Sequence, residues 1–140
     1  GIGVEGLKYS QNLGTLWRSA LNFGADFIFT IGKRYKHQAS DTVKAQRHIP
    51  FYEYPAFEDF YKHIPKDCRL IGVEERDEVH DLKLFIHPER AVYLLGAEDQ
   101  GLTQRALSYC KDVIRITSHF CLNVSVAGAI VMYDRQNKIS

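Results

Sequence analysis

Residues 91–102 read AVYLLGAEDQGL. The first five are apolar with no polar alternation, which is typical of a strand covered on both faces in a parallel sheet. The strand runs directly into a turn with two glycines and two acids, and Thr103 is placed to cap a helix after it. In open α/β sheets, ligands bind beyond the carboxyl ends of such strands. This stretch therefore predicts an α/β fold and a site at the end of a buried strand.

The same alternation of strand and helix extends in both directions along the chain. Apolar and β-branched runs predict strands at residues 2–4, 26–31, 51–54, 69–73, 91–95 and 113–116. Helical spacing predicts helices at residues 15–23, 57–63, 103–109 and 122–136, the first of them capped by Thr15 and Gly24 after a polar turn at 11–14. The pattern predicts a mostly parallel sheet with helices on both faces, in one domain over residues 1–140.

Composition indicates an ordinary globular protein. The 140 residues are 45% hydrophobic and 25% charged, with a net charge of +1, which does not suggest a dedicated nucleic-acid coat. The average conceals a basic segment at 33–48 and an acidic stretch at 74–81. Solvated loops explain both, and a compact basic segment can also meet phosphate.

Several classes of protein are disfavoured. Three widely spaced cysteines do not form a disulfide framework, and no pair of cysteines or histidines has zinc-ligand spacing, so we expect no metal. The chain opens with GIGVEG rather than with basic residues and an apolar block, so we expect no signal peptide. It also has no apolar run near the ~20 residues of a membrane span. We therefore expect a cytoplasmic protein without a membrane partner.

Three segments after predicted strands carry unusual residues. The first is Asn12-Leu-Gly-Thr-Leu-Trp-Arg18, in which the planar guanidinium of Arg18 suits a phosphate, although a helix cap followed by a surface arginine accounts for it equally well. The second is the turn at 96–102, where glycines let backbone groups approach a ligand, or simply form a tight connection. No phosphate-binding glycine loop occurs, which disfavours an unknotted nucleotide-binding domain of the doubly wound type.

The third segment joins residues 116–125 to the last helix. Asn123 and Ser125 are polar where the chain is expected to be buried, so each needs a hydrogen-bond partner. Three consecutive small residues in the last helix, Ala127, Gly128 and Ala129, allow another backbone segment to come very close to it. Ordinary close packing of helices also accounts for them.

Taken in order, the three segments resemble the three signature motifs of the SpoU/TrmH RNA methyltransferases. The segment 12–18 is similar to motif 1, Leu95-Gly-Ala-Glu-Asp-Gln-Gly-Leu102 to motif 2, and Cys121-Leu-Asn-Val-Ser-Val-Ala127 to motif 3. The resemblance covers essentially the whole chain. It implies a C-terminal deep trefoil knot, a homodimer and an S-adenosylmethionine-dependent transfer of methyl to a ribose 2′-hydroxyl of tRNA or rRNA.

The resemblance also implies roles for individual residues. Arg18, Asn12 and Asn123 are expected at the catalytic site. The methyl donor is expected to contact Val73, Gly96, Glu98, Gly101, Ile116 and Leu122, mainly through backbone groups. RNA is expected to contact Arg18 and the basic residues Lys33, Arg34, Lys36 and Arg47. Because arginine stays protonated in proteins, we expect Arg18 to bind phosphate and stabilise the developing alkoxide rather than act as a base.

Two departures from the family pattern concern the acceptor pocket. Cys121 stands where motif 3 usually has serine, and a thiol is the weaker hydrogen-bonding partner. Thr117 stands where proline is usual, in a segment shorter than the common form. An alternative function is therefore a catalytically inactive knotted domain that binds RNA or the donor.

Overall fold

The computed structural model describes residues 1–35, 48–76 and 79–139. The strands in these ranges are β1 (Ile2–Glu5), β2 (Ile28–Ile31), β3 (Phe51–Tyr54), β4 (Arg69–Val73), β5 (His80–Asp81), β6 (Ala91–Leu95) and β7 (Asp112–Arg115). The helices are α1 (Ser10–Asn22), α2 (Phe57–His63), α3 (Gln104–Tyr109) and α4 (Val124–Ile139), with a 3₁₀ turn at Leu82–Leu84.

The described strands form one sheet in which every neighbouring pair is parallel. Their spatial order is β3-β2-β1-β6-β4-β7-β5. In the centre of the sheet β6 pairs with β1 on one side and with β4 on the other. The predicted mostly parallel sheet is confirmed. Because all strands run the same way, the segments after β1, β4, β6 and β7 begin at one edge.

Helices cover both faces of the sheet, and alternate strand residues serve the two layers. On one face, Leu16 of α1 and Val131 of α4 share a buried cluster with Ile2 and Leu95. On the other face, Phe60 of α2 and Ala106 of α3 pack with Leu94 and other strand residues. The period of two along each strand thus separates two apolar layers, and β6 is buried by both.

Helices α1 and α4 approach each other closely at Gly128. A side-chain carbon at this position would lie 2.4 Å from Leu16 Cδ1 and 3.1 Å from Leu95 Cδ1. Only glycine permits this separation, because those two apolar side chains are themselves fully buried. The small residues at 127–129 therefore bring the start of α4 close to the ends of the central strands.

The first helix begins earlier than the sequence predicts. Residues 11–14 belong to α1, so the predicted polar turn and the cap at Thr15 are wrong; the Thr15 hydroxyl instead donates to the Gln11 carbonyl at 3.1 Å. The N-cap residue Tyr9 makes no side-chain cap. Backbone N–H groups just before the helix donate instead to the carboxylate of Glu98, a distant residue whose position the local sequence does not reveal.

The other differences are smaller. Strand β7 begins and ends one residue earlier than predicted, and α4 covers Val124–Ile139 rather than 122–136. The two-residue strand β5 is not predicted by the sequence, since two residues carry no periodic pattern. The cap at Thr103 is confirmed, because its hydroxyl oxygen accepts from the Ala106 N–H at 3.1 Å.

Candidate functional site

A pocket of about 320 Å³ lies at the carboxyl ends of β4, β6 and β7. The segments after these strands and the first turn of α4 form its walls. Its lining residues include all six proposed donor contacts, namely Val73, Gly96, Glu98, Gly101, Ile116 and Leu122. The volume is at the lower end of the range for small-molecule sites. Residues 96–101 and 116–122, far apart in sequence, therefore share one pocket.

The turn at 96–102, which we call the glycine turn, is folded tightly against itself. Ala97 and Gly101 form an isolated bridge, and the Gly101 N–H donates to the Ala97 carbonyl at 3.0 Å. A side-chain carbon at Gly96 would lie 2.4 Å from the carbonyl carbon of Gly101, and Gly101 itself has a φ of 69°. Both positions therefore require glycine, one for space and one for backbone conformation.

Two carboxylates that we did not predict support this turn. Glu74 accepts from the Leu102 N–H at 2.9 Å. Glu5 is buried and accepts from both the N–H and the hydroxyl of Thr103, each at 2.9 Å. Each acid lies at or directly after the end of an apolar strand. That placement was a usable signal, because a buried carboxylate at a sheet edge needs hydrogen-bond donors.

Glu98 connects the turn to the beginning of α1. Its carboxylate accepts from the backbone N–H groups of Lys8 at 3.1 Å and Tyr9 at 3.2 Å, and from the side-chain amide of Asn12 at 2.7 Å. Burial acts to raise the pKa of Glu98, but the hydrogen bonds from Asn12 and from backbone N–H groups outweigh it and lower the pKa overall. Glu98 is therefore ionised at neutral pH.

Asn12 is also hydrogen-bonded to the residue before the last helix. Its amide oxygen accepts from the amide of Asn123 at 3.0 Å. The amide oxygen of Asn123 accepts in turn from the N–H groups of Ser125 at 2.9 Å and Val126 at 3.4 Å. Asn123 is thus the N-cap of α4. The hydrogen-bonded series Glu98–Asn12–Asn123, which we call the amide relay, joins all three sequence segments.

Only one member of the amide relay belongs to the pocket wall. Asn12 and Asn123 are not among the residues that line the pocket, whereas Glu98 is. Asn12 is buried, and Ser125, whose hydroxyl also contacts Asn123, is buried as well. Asn123 and Ser125 have the expected hydrogen-bond partners, but the expected burial holds only for Ser125, because Asn123 is exposed.

Arg18 lies outside the pocket lining, on an exposed part of α1. It lies six positions after Asn12, which corresponds to roughly 120° around the helix. The guanidinium therefore projects from a different side of α1 than the buried amide of Asn12. It also lies two turns into the helix rather than the one turn that the sequence predicts.

Cys121 does line the pocket, and its thiol is exposed. It precedes Leu122 and the cap residue Asn123, in the segment at 116–122 that forms another part of the pocket wall. The residue that departs from the family pattern therefore lies beside the proposed donor contacts.

The proposed RNA contacts at the start of the basic segment are already engaged with acids. The Lys33 ammonium pairs with the Glu53 carboxylate and lies 5.0 Å from the centre of the Tyr35 ring. The Arg34 guanidinium pairs with Asp99. Lys36 and Arg47 lie outside the described residues.

Neither a metal site nor a membrane helix is found in the ranges that the structure describes. These ranges contain no group of three or more His, Cys, Asp or Glu residues that could hold a metal ion. No helix in them is both long enough and apolar enough to cross a membrane.

A parallel sheet with covered faces, and a glycine-walled pocket at its carboxyl edge, defines a ligand-binding α/β domain. Comparison with known proteins is more specific. The profile of the SpoU rRNA Methylase family matches residues 2–133, and the chain belongs to that family.

Individual relatives are distant in sequence and close in fold. The tRNA (guanosine(18)-2′-O)-methyltransferase of Escherichia coli (strain K12) is 23% identical over 143 residues; the match covers 98% of this chain and 62% of the relative. The SpoU methyltransferase AviRb from Streptomyces viridochromogenes, solved in complex with the cofactor AdoMet, has a TM-score of 0.87 at 18% identity, covering 98% of this chain and 56% of that one.

A second solved structure matches this chain almost from end to end. It is described as giving structural insights into the 2-OH methylation of C/U34 on tRNA, and it has a TM-score of 0.86 at 20% identity. The match covers 99% of this chain and 94% of that one. At such identities the structural likeness establishes the fold.

Proposed function

We propose that this protein transfers a methyl group from S-adenosylmethionine to a ribose 2′-hydroxyl of tRNA or rRNA. One observation carries the proposal: six residues assigned to the donor from the family resemblance, on three separate segments, line one pocket. The names of the relatives support the same reaction, for tRNA guanosine in one case and tRNA C/U34 in another. The chain spans 62% of the length of the curated relative, so activity and substrate are proposed here for this chain.

The pocket fits the proposed cofactor in size and charge. Its volume is suited to a small molecule, and Gly96 and Gly101 form part of its wall. Glu74, Glu75 and Glu98 also line it, so the surrounding potential favours a positively charged ligand. We assign donor binding to Val73, Gly96, Glu98, Gly101, Ile116 and Leu122. S-adenosylmethionine supplies an electrophilic methyl group on a sulfonium, chemistry that needs no metal.

The residues of the chain then have to place and activate a weak nucleophile. We assign the acceptor side to Arg18, whose fork-shaped guanidinium binds a phosphate next to the ribose and stabilises negative charge that develops on the 2′-oxygen. Asn12 and Asn123 hold the glycine turn and the start of α4 in register through the amide relay. Positioning of the two reactants accounts for most of the rate enhancement in this scheme.

RNA is proposed to bind along the basic segment as well as at Arg18. Lys33, Lys36 and Arg47 would contact phosphates, which position an RNA without reading its sequence. Arg34 belongs to the same segment, although its guanidinium already holds Asp99.

We also propose the assembly that accompanies this activity. Residues 1–140 form a single methyltransferase domain, its C-terminal segment is threaded into a deep trefoil knot, and the protein acts as a cytoplasmic homodimer. The close approach of α4 to α1 at Gly128 supports the knot. Exposed apolar side chains on and before α4, at Leu122, Val126 and Tyr133, support a covered dimer surface.

A domain that binds donor or RNA without catalysis is the second candidate. Two observations favour it: Cys121 replaces the usual serine, and Arg18 is not among the pocket residues. Both bear on the acceptor side and leave the donor pocket intact.

A transfer assay tests the proposal and separates the two functions. Purified protein is incubated with methyl-labelled donor and, separately, with unmodified tRNA and rRNA. We expect label in one RNA class, at a linkage that resists alkaline cleavage because the 2′-oxygen is blocked. Ribose-methylation mapping of RNA from cells with and without the gene then locates the nucleotide. Binding of the donor or of RNA without transfer would select the second candidate, and failure to bind either one would refute both.

Variants of Arg18 test its assigned role. Arg18→Ala is expected to abolish turnover while donor affinity, measured by calorimetry, stays unchanged. Arg18→Lys keeps the charge but loses the fork, and we expect a large loss of turnover. Near-normal turnover by Arg18→Lys would contradict bidentate phosphate binding.

A further inference from the structure

Arg34 makes more contacts to the pocket side of the molecule than its place in a basic segment predicts. Its guanidinium donates to both carboxylate oxygens of Asp99, at 2.6 and 3.2 Å, and its Nε–H donates to the Gly6 carbonyl at 2.9 Å. Its backbone N–H donates to the Leu7 carbonyl at 2.8 Å. The side chain thus has three directed hydrogen bonds, a geometry that fixes the position of the guanidinium plane.

These contacts join three segments that meet beside the pocket. Gly6 and Leu7 follow β1, Arg34 follows β2, and Asp99 belongs to the glycine turn after β6. Asp99 lines the pocket, whereas Arg34 does not. Its neighbour Glu98 is held independently, by Asn12 and the N–H groups of residues 8 and 9. The turn is therefore fixed on one side by the amide relay and on the other by Arg34.

The charge state of Asp99 agrees with this geometry. The hydrogen bond from Arg34 is the main cause that lowers the pKa of Asp99 to about 2, and burial opposes it. The Lys8 ammonium lies 3.7 Å from the same carboxylate and adds to the effect. Asp99 therefore remains ionised at neutral pH and cannot release Arg34 by titration.

We propose that Arg34 is a positioning residue for the methyl-donor pocket. Through Asp99 it holds the glycine turn in the conformation that receives the donor. This inference rests on the proposed function, and it assigns Arg34 to the donor side of the reaction rather than to phosphate contact with RNA. Of the two basic residues described at the start of the segment, Lys33 pairs with Glu53 of β3, whereas Arg34 pairs with Asp99, a residue of the pocket wall.

Donor affinity and RNA affinity separate this role from a phosphate contact. We expect Arg34→Ala to weaken binding of S-adenosylmethionine about three- to tenfold, the range for a partly exposed, bidentate charged pair. RNA affinity and its dependence on salt should stay unchanged, because no phosphate contact is lost. In turnover, the KM for the donor should rise while the KM for RNA does not.

A matched control and a charge exchange make the test specific. Arg69→Ala breaks another exposed Arg–Asp pair, with Asp112 at 3.0 Å, at the opposite ends of the strands, and donor affinity should not change. Asp99→Ala should match Arg34→Ala, and the double variant should be no worse than either one. The exchange Arg34→Asp with Asp99→Arg should recover part of the affinity, which a general loss of folding would not allow.

The outcomes distinguish this inference from the proposed function. If the unchanged protein binds no S-adenosylmethionine, the proposed function fails and this inference fails with it. If it binds the donor and Arg34→Ala binds equally well, the inference alone is overturned. Weaker RNA binding with a reduced salt dependence in Arg34→Ala would overturn it too, in favour of a phosphate contact.

Discussion

Replacement of Asn123 by alanine tests the amide relay most directly. The substitution removes the side-chain oxygen that caps α4 through the N–H groups of Ser125 and Val126. It also removes the amide that donates to Asn12. Two different contributions are therefore lost at one position.

The expected magnitude follows from these two losses. Removal of an N-cap costs about 0.5 to 2 kcal/mol. The amide oxygen of Asn12 loses its donor in a buried position, which adds ~1 kcal/mol. We expect Asn123→Ala to lower the free energy of unfolding by about 2 kcal/mol, and the melting temperature by ~6 °C in a domain of this size. Affinity for S-adenosylmethionine should fall as well, because Asn12, which donates to Glu98, is no longer held in place by Asn123.

Asn123→Asp separates the two contributions, and urea unfolding followed by circular dichroism measures them. Aspartate is as good an N-cap as asparagine, so most of the stability of α4 should return. A carboxylate cannot donate to the Asn12 oxygen, so donor affinity should stay low. The reasoning would be refuted if Asn123→Asp destabilised the protein as much as Asn123→Ala, or if neither variant weakened donor binding.

Three further predictions concern a glycine, a cysteine and a histidine. Gly96→Ala places a side-chain carbon 2.4 Å from a backbone atom of Gly101, so it should cost ~2 kcal/mol of stability and abolish donor binding in calorimetry. Gly24→Ala is the control, because Gly24 has a φ of 80° and open space around it. This variant should cost ~1 kcal/mol and leave donor binding intact. The exposed thiol of Cys121 should be the first to react with N-ethylmaleimide, detected by mass spectrometry, and bound donor should protect it; modification that leaves donor affinity unchanged would contradict its place in the pocket. Burial lowers the pKa of His87 below 6.5, against the opposing effect of Asp134, so the unfolded chain takes up a proton more readily and the free energy of unfolding should decrease as pH falls below 6.5. Urea unfolding on either side of that pH should show a smaller decrease for His87→Gln, and an equal decrease would exclude His87 as the cause.

The sheet and the position of the site could be predicted because strong local signals specify them. The apolar runs at 69–73 and 91–95 form central parallel strands, as their composition predicts, and the segments after them form the pocket. The spacing of small residues at 127–129 likewise indicated a close contact on α4.

The parts that could not be predicted depend on partners that are distant in sequence. The start of α1 is stabilised by Glu98, so local propensity misplaced it by five residues and assigned Asn12 to a turn. Glu5 and Glu74 act through N–H groups of residues 102 and 103, and only the folded chain brings them together. The basic neighbours of Arg34 in sequence predict an RNA contact, and no local pattern indicates its hydrogen bonds to Asp99, 65 positions away.

The amide relay has a consequence for how the protein matures during synthesis. Asn12 is hydrogen-bonded to Glu98, which follows it by 86 positions, and to Asn123, which follows it by 111 positions. A nascent polypeptide that has emerged only as far as β7 lacks Asn123 and the wall formed by residues 116–122, so its cofactor cleft is incomplete. Binding of the proposed methyl donor is therefore expected only after synthesis has proceeded past Asn123, and a chain truncated before α4 should not bind it.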